Sequence, residues 1–143
     1  NAVAINKFTE KELEMGVQEL CLEAIKKGII KSAHDLSDGG LAVNMAESII
    51  AAKSGLGAKL NIDRKLRDDE LLFGECQSVI IVSLNEDQLY ELILLAQGMD
   101  VHTQTIGRVT DSGRLVINDL IDISRVKIEP VYLNTLGNII SNS

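Results

Sequence analysis

The sequence predicts an α+β domain in which a mixed β-sheet carries packed helices. Near its start, apolar residues recur at helical spacing, as in Leu13, Val17 and Leu20. Residues 78–84 form a continuous apolar run, which is typical of a strand at the centre of a sheet. A length of 143 residues and a hydrophobic composition of 45% suffice to bury one core. We therefore expect a single domain over residues 1–143.

The first predicted helix starts after Thr9 and ends at Gly28. Thr9 as N-cap and Glu12 three positions later form a capping box, and Gly28 can adopt the left-handed turn that ends a helix. An extended segment follows over residues 28–33. The opening Asn1-Ala2 is consistent with a cloning remnant, and we assign it no structural role.

The middle of the chain predicts a helix, a strand and a second, short helix. The first of these covers residues 40–53 and is stopped by Gly55 and Gly57. Residues 58–62 alternate polar and apolar side chains, as a half-buried strand does. Residues 68–73 predict the short helix.

The second half of the chain alternates strands and helices. The apolar run over residues 78–84 predicts a central strand, and the polar residues 85–88 start the next helix. Residues 102–109 and 113–118 predict two strands joined by a tight turn into an antiparallel hairpin. A final helix begins near Ser124.

Charge and cysteine usage exclude several classes of protein. A net charge of −7 and a pI near 4.8 disfavour binding to nucleic acid. No apolar run approaches the roughly 20 residues that a membrane-spanning helix needs, so we expect a soluble, cytoplasmic protein with no membrane partner. Cys21 and Cys76 have neither a disulfide nor a zinc pattern, and we expect buried or half-buried free thiols.

Residues 32–43 combine short polar side chains with paired glycines where an extended segment turns into a helix. Gly39 and Gly40 let backbone N–H groups approach a ligand, and the following helix directs the positive end of its dipole there. Asp35 and Asp38 are hard oxygen ligands at a spacing that lets at most one of them point into a shared site. We assign Asp35 to Mg²⁺ and Asp38 to the helix N-cap. A purely structural turn is the alternative.

Three blocks of the sequence resemble one enzyme family. Residues 32–43, Ser-Ala-His-Asp-Leu-Ser-Asp-Gly-Gly-Leu-Ala-Val, resemble the start of the C-terminal domain of the ATP-dependent phosphoribosylformylglycinamidine synthases of purine biosynthesis. Residues 71–78, Leu-Leu-Phe-Gly-Glu-Cys-Gln-Ser, resemble a later block of the small form of that enzyme, with Cys76 in place of the usual serine. Residues 106–109 resemble its closing Ile-Gly-x-Val segment.

The resemblance implies the fold of the C-terminal domain of the AIR synthase superfamily, within a longer enzyme. That enzyme is an ATP-dependent C–N ligase, which converts formylglycinamide ribonucleotide, ATP and glutamine-derived ammonia into formylglycinamidine ribonucleotide, ADP and phosphate. The implied partners are a glutaminase subunit and a small accessory subunit. Since most catalytic residues would lie in N-terminal domains, we assign none here and expect the isolated domain to be inactive.

The resemblance also implies binding residues. Asp35 and Ser37 map onto residues that contact a tightly held nucleotide and its Mg²⁺ at an auxiliary site, next to the paired glycines. Glu75 and Gln77 belong to a block that resembles a duplicated copy of one touching the formylglycinamide ribonucleotide. They are therefore candidates on the substrate side, with a polar start to a strand as the alternative.

Two other functions stay open. One is another enzyme of the AIR synthase superfamily, namely aminoimidazole ribonucleotide synthetase, selenophosphate synthetase or thiamine-monophosphate kinase, although the first two blocks together favour the synthase. The other is a noncatalytic interaction domain. In that case Asp35→Ala would leave Mg-ADP binding by the full-length protein unchanged.

Overall fold

The computed structural model describes residues 2–6, 11–36, 39–52, 55–63, 67–75 and 79–141. Within these residues the strands are β1 (Ala2–Asn6), β2 (Ile30–Asp35), β3 (Gly57–Leu60), β4 (Ile80–Leu84), β5 (Thr103–Thr110), β6 (Arg114–Ile117) and β7 (Ile121–Ser124). The α-helices in the same part of the chain are α1 (Lys11–Lys26), α2 (Gly40–Ala51), α3 (Asp68–Phe73), α4 (Leu89–Gly98) and α5 (Arg125–Ser141).

The described strands form one sheet in the order β2-β4-β1-β5-β3-β6-β7. Strands β3 and β6 run parallel, whereas the other paired strands run antiparallel. The sheet is therefore mixed, and the predicted α+β class is confirmed. No helix among the described residues is long and apolar enough to cross a membrane.

Two clusters of buried side chains hold helices on opposite faces of the sheet. Strand β4 contributes to both clusters, because successive residues of a strand point to opposite faces. Val82 joins Leu20 of α1 and Leu92 of α4 in one cluster. Ile81 joins Met45 of α2 in the other. The sheet therefore separates α1 and α4 from α2.

Several local predictions for α1 are confirmed. Gly28 has a φ of +70°, and its N–H donates to the carbonyl oxygen of Ile25 at 2.9 Å, which ends the helix as expected. Cys21 is a buried free thiol, and burial raises its pKa, so the thiol is a poor nucleophile at neutral pH. Thr9 and Cys76 lie outside the described residues.

The predicted hairpin of β5 and β6 is wrong. A short turn joins these strands, but β3 lies between them, with Lys59 opposite Arg108 in one ladder and opposite Val116 in the other. Gly57 allows this close approach, because a Cβ there would lie 2.3 Å from the carbonyl oxygen of Arg114. Alternation along a sequence shows which face a residue takes, and it does not show which strand lies alongside.

Two strands were not predicted from the sequence. Strand β1 includes Ala2, to which the sequence analysis assigns no structural role. Ala2 pairs with Leu84 of β4 and with Arg108 of β5. Strand β7 pairs with β6 immediately before α5 begins. The residues of β1, Ala-Val-Ala-Ile-Asn, do not alternate polar and apolar side chains. Those of β7, Ile-Asp-Ile-Ser, do alternate, and this pattern was missed in the sequence.

The C-terminal end of α2 is held by Arg125 at the start of α5. Its guanidinium donates hydrogen bonds to the carbonyl oxygens of Ala52 at 3.1 Å and Ile50 at 3.0 Å. The Arg125 side chain is only 14% exposed and also lies 3.4 Å from a carboxylate oxygen of Glu129. The last carbonyls of a helix have no partner within it, and a cation beside them also favours the helix dipole. Arg125 is therefore a helix cap supplied from a distant segment.

We expect Arg125→Ala to lower the free energy of unfolding by about 2–3 kcal/mol, because hydrogen bonds to a mostly buried charge are lost. Urea unfolding of the 143-residue chain measures this loss. The matched control is Arg114→Ala, which removes an ion pair with Asp122 at 2.8 Å. Both of those side chains are exposed, so the loss should stay below about 1 kcal/mol. Equal losses for the two variants would contradict the capping role of Arg125.

Candidate functional site

The paired glycines form the N-terminal end of α2, shortly after β2 ends at Asp35. Gly39 occupies the N-cap position and Gly40 is the first helical residue, with φ values of +78° and +72°. Gly39 offers no side-chain cap to the first N–H groups of the helix. The predicted N-cap at Asp38 is therefore wrong, because the helix begins one residue later than that cap requires. Ser37 and Asp38 themselves lie outside the described residues. This helix end combines backbone N–H donors with the positive end of the dipole, as anion sites do.

Gly40 brings the second sequence block to the first. A Cβ at Gly40 would lie 2.6 Å from the carbonyl carbon of Phe73 and 2.9 Å from the carbonyl oxygen of Leu72. The start of α2 therefore touches the backbone at the end of α3. From there the chain continues through Gly74 to Glu75, so two motifs that are far apart in the sequence meet in the fold.

The far end of the second block adjoins the end of β2. The N–H of Leu36 donates to the carbonyl oxygen of Val79 at 2.9 Å. The carboxylates of Asp35 and Glu75 are both exposed. Gln77 lies outside the described residues. The structure thus brings together the segments that carry Asp35 and Glu75.

Asn44 on α2 is a buried polar residue that sequence reasoning missed. It is only 7% exposed. Its Nδ2 donates to the backbone carbonyl oxygen of Asp35 at 2.6 Å, whereas its Oδ1 is buried and has no hydrogen-bond donor within the described structure. The sequence does contain an indication of this buried polar residue, because Asn44 interrupts the apolar face of α2 that includes Leu41 and Met45.

The two ends of the Asn44 amide have opposite energetic effects. One hydrogen bond contributes about 0.5–1.5 kcal/mol, whereas a buried acceptor without a donor costs about 1–3 kcal/mol. Asparagine is also a weaker helix former than alanine or leucine. Fold stability alone therefore does not account for asparagine at this position.

The donor groups at this site fit Mg²⁺ only as part of a shared site. The described residues contain no group of three His, Cys, Asp or Glu side chains that could enclose a metal. Mg²⁺ commonly takes one or two carboxylates, and phosphate oxygens and water complete its coordination. Asp35 supplies one exposed carboxylate, and the N-terminal end of α2 supplies donors for phosphate. These residues therefore suit a metal that arrives with a nucleotide.

A cavity of about 450 Å³ lies between the second half of α2 and the sheet. Ser32 and His34 of β2 line it together with the apolar side chains of Met45 and Ile49. Asp35, which follows His34, is not among the described residues that line it. The cavity therefore extends towards the C-terminal end of α2, and the glycines at the N-terminal end are not among the described residues that line it.

Comparison with known sequences identifies close relatives. A family profile described as AIR synthase related protein, C-terminal domain, matches residues 4–119. The phosphoribosylformylglycinamidine synthase subunit PurL of Synechococcus sp. (strain CC9902) is 39% identical over 131 residues, which are 87% of this chain and 17% of that protein. The PurL subunit of Moorella thermoacetica (strain ATCC 39073 / JCM 9320) is 41% identical over 97 residues, which are 68% of this chain and 13% of that protein. The chain thus spans a small part of these relatives.

Solved structures show the same fold. PurL of Thermotoga maritima, complexed with ATP, matches with a TM-score of 0.73 at 17% identity, over 89% of this chain and 25% of that one. Thiamine-monophosphate kinase of Stenotrophomonas maltophilia K279a matches with a TM-score of 0.57 at 18% identity, over 82% of this chain and 49% of that one. The solved structures confirm the fold, and the profile and the sequence relatives confirm the resemblance drawn from the three sequence blocks. By the profile match over most of its length, the chain belongs to the family of AIR synthase related proteins, as a C-terminal domain.

Proposed function

We propose that this chain is the C-terminal domain of a small-form phosphoribosylformylglycinamidine synthase. The observation that carries the proposal is that relatives 39% and 41% identical to it are subunits of that enzyme. Because the chain spans 17% of the first of these relatives, the whole reaction belongs to a longer protein. In that reaction ATP phosphorylates the formyl amide oxygen of formylglycinamide ribonucleotide. Ammonia then displaces the phosphate, which leaves the amidine and ADP.

Within this enzyme, the domain would hold a nucleotide with its Mg²⁺ at an auxiliary site. The backbone N–H groups of Gly39 and Gly40 at the start of α2 would bind phosphate oxygens. Asp35 would bind the ion, and the hydroxyl of Ser37 would bind the nucleotide. Bound Mg²⁺ supplies positive charge that offsets the phosphates. The residues of this chain thus bind and orient a ligand, and none is assigned a proton transfer.

The substrate side and the partners follow by analogy with the relatives. Glu75 and Gln77 are proposed to face formylglycinamide ribonucleotide, because α3 brings this block to the start of α2. PurL of T. maritima has been solved with ATP, with ADP and with FGAR, and as the PurLQS assembly. For the enzyme containing this chain, we propose ATP/ADP and Mg²⁺ as cofactors. A glutaminase subunit and a small accessory subunit would be its partners in the cytoplasm.

In the full-length enzyme, Asp35→Asn should reduce the nucleotide retained with Mg²⁺ by about tenfold or more, because the amide keeps the shape and loses the charge that the ion requires. Nucleotide released on denaturation and bound Mg²⁺ are the two measurements. Urea unfolding of the nucleotide-free protein should barely change, since the Asp35 side chain is exposed.

The control for this experiment is Asp111→Asn, which removes another exposed carboxylate, in the turn between β5 and β6. It should retain nucleotide and Mg²⁺ like the wild type. If Asp35→Asn also keeps full occupancy of both, Asp35 has a structural role and the auxiliary-site proposal should be dropped.

A further inference from the structure

We infer that Asn44 is a positioning residue for Asp35, so that the Mg²⁺-dependent part of nucleotide binding depends on a side chain that does not contact the ligand. This inference rests on the proposed function, because it concerns the same site. It starts from the half-satisfied amide of Asn44, whose Nδ2 bonds the carbonyl oxygen of Asp35 at 2.6 Å and whose Oδ1 is buried without a donor in the described structure.

The surroundings of Asn44 favour an apolar residue. The buried face of α2 around it contains Leu41, Ala42, Met45 and Ile49. These residues belong to the hydrophobic cluster on one face of the sheet. An apolar side chain of similar shape would join that cluster and leave no buried acceptor unpaired. Asparagine at this position is therefore explained by what its donor does.

The amide of Asn44 donates to β2 near the edge that has no neighbouring strand in the described sheet. Strand β2 lies at the edge of the described sheet, so the backbone of Asp35 has a strand partner on one side only, at Ile80 of β4. The hydrogen bond from Asn44 ties the last carbonyl of the strand to α2. Fixing that peptide group restricts the movement of the backbone from which the Asp35 side chain extends.

The same helix carries both halves of the proposed site. Gly40 sets the position of the first N–H groups of α2, and Asn44 sets the position of Asp35. Asn44 therefore ties the backbone of the proposed cation ligand to the helix that carries the phosphate donors. Without the Asn44 amide, the helix end would still bind phosphate. The backbone of Asp35 would no longer be held in place, so its carboxylate would bind the cation more weakly.

The inference is tested by titrating the full-length enzyme with ADP, with and without Mg²⁺. The ratio of the two affinities isolates the contribution of the cation. We expect Asn44→Ala and Asn44→Leu to reduce this ratio by about fivefold or more, towards the value for Asp35→Asn. The affinity for ADP without Mg²⁺ should change less than twofold. The double variant Asp35→Asn/Asn44→Leu should bind no more weakly than Asp35→Asn alone, since both substitutions act through one carboxylate.

Ser48→Ala is the matched control, because Ser48 lies on the next turn of α2 and its hydroxyl donates to the backbone carbonyl oxygen of Asn44 at 2.8 Å. It should keep the wild-type ratio. Urea midpoints separate positioning from folding, and Asn44→Leu should unfold at a midpoint equal to or above that of the wild type. An Asn44→Leu midpoint that falls together with binding would overturn the inference, because the residue would then be structural.

Two further outcomes distinguish this inference from the proposal on which it rests. If Asp35→Asn lowers the Mg²⁺ ratio and both Asn44 variants keep it, the positioning role is wrong and the proposed function stands. If Asp35→Asn itself keeps the wild-type ratio, the auxiliary-site proposal fails, and the role of Asn44 fails with it.

Discussion

A chain that lacks residues 1–6 is expected to lose its cooperative fold. Strand β1 is central, with Ala4 opposite Val82 of β4 on one side and Thr105 of β5 on the other. Deleting it separates β2 and β4 from the remaining strands and leaves two open sheet edges. Backbone hydrogen bonds worth about 1 kcal/mol each are lost on both sides, and their sum approaches the whole stability of a domain, about 5–15 kcal/mol.

Circular dichroism during urea titration should show no sigmoidal transition for the truncated chain at 25 °C. The 143-residue chain should show a single sigmoidal unfolding transition. A milder variant is Ala4→Pro, which places proline in a strand that is paired on both sides, removes a backbone hydrogen-bond donor and should cost about 1–3 kcal/mol. A truncated chain with the midpoint of the intact one would show that β1 contributes nothing to the folded sheet.

Gly40→Ala is expected to be severely destabilising, and Gly28→Ala is its matched comparison. The two glycines have φ values of +72° and +70°, so alanine is strained by about 1–2 kcal/mol at either position. Only at Gly40 would the new Cβ meet backbone, 2.6 Å from the carbonyl carbon of Phe73, whereas nothing lies within 4 Å at Gly28. Backbone cannot yield as a flexible side chain does, and overpacking of this kind adds about 1–3 kcal/mol or more.

Urea unfolding should therefore give losses of about 3–5 kcal/mol for Gly40→Ala and about 1–2 kcal/mol for Gly28→Ala. Ser112→Val, in the exposed turn before β6, should change the free energy of unfolding by less than about 0.5 kcal/mol. Nucleotide retention by the full-length enzyme should follow the same order. Equal losses of unfolding free energy at the two glycines would mean that the start of α2 is not in close contact with the backbone at the end of α3.

Much of the fold was predictable because its signals are local. The left-handed turn at Gly28 and the short helix α3 depend on neighbouring residues in the chain, and both are where the sequence places them. The partners of β5 and β6 were not predictable, because side-chain alternation carries no information about which strand inserts between them. Ala2 was misjudged because the residues of β1 do not alternate polar and apolar side chains.

The candidate site also has features that the sequence predicts and features that it does not. The glycine turn predicts Gly39 and Gly40 as candidates, and the resemblance of the two main blocks adds Asp35 and Glu75. The structure shows that the segments carrying these residues adjoin. The contribution of Asn44 depends on a hydrogen bond to a strand that precedes its helix, together with burial of its other end. Neither property is encoded by a local pattern, although a polar residue on an apolar helix face is a signal worth testing in related chains.

The strand order also determines when this domain can fold during synthesis. Among the described pairings, only β6 with β7 joins strands that are consecutive in the chain. Strand β1 is made first, yet its neighbours begin at Ile80 and Thr103. At about 5–20 residues per second, the ribosome needs on the order of ten seconds to complete β4 and β5 after β1. The backbone groups of β1 therefore stay unpaired until β4 and β5 have been synthesised. Folding depends on long-range contacts that form only when most of the domain has been made.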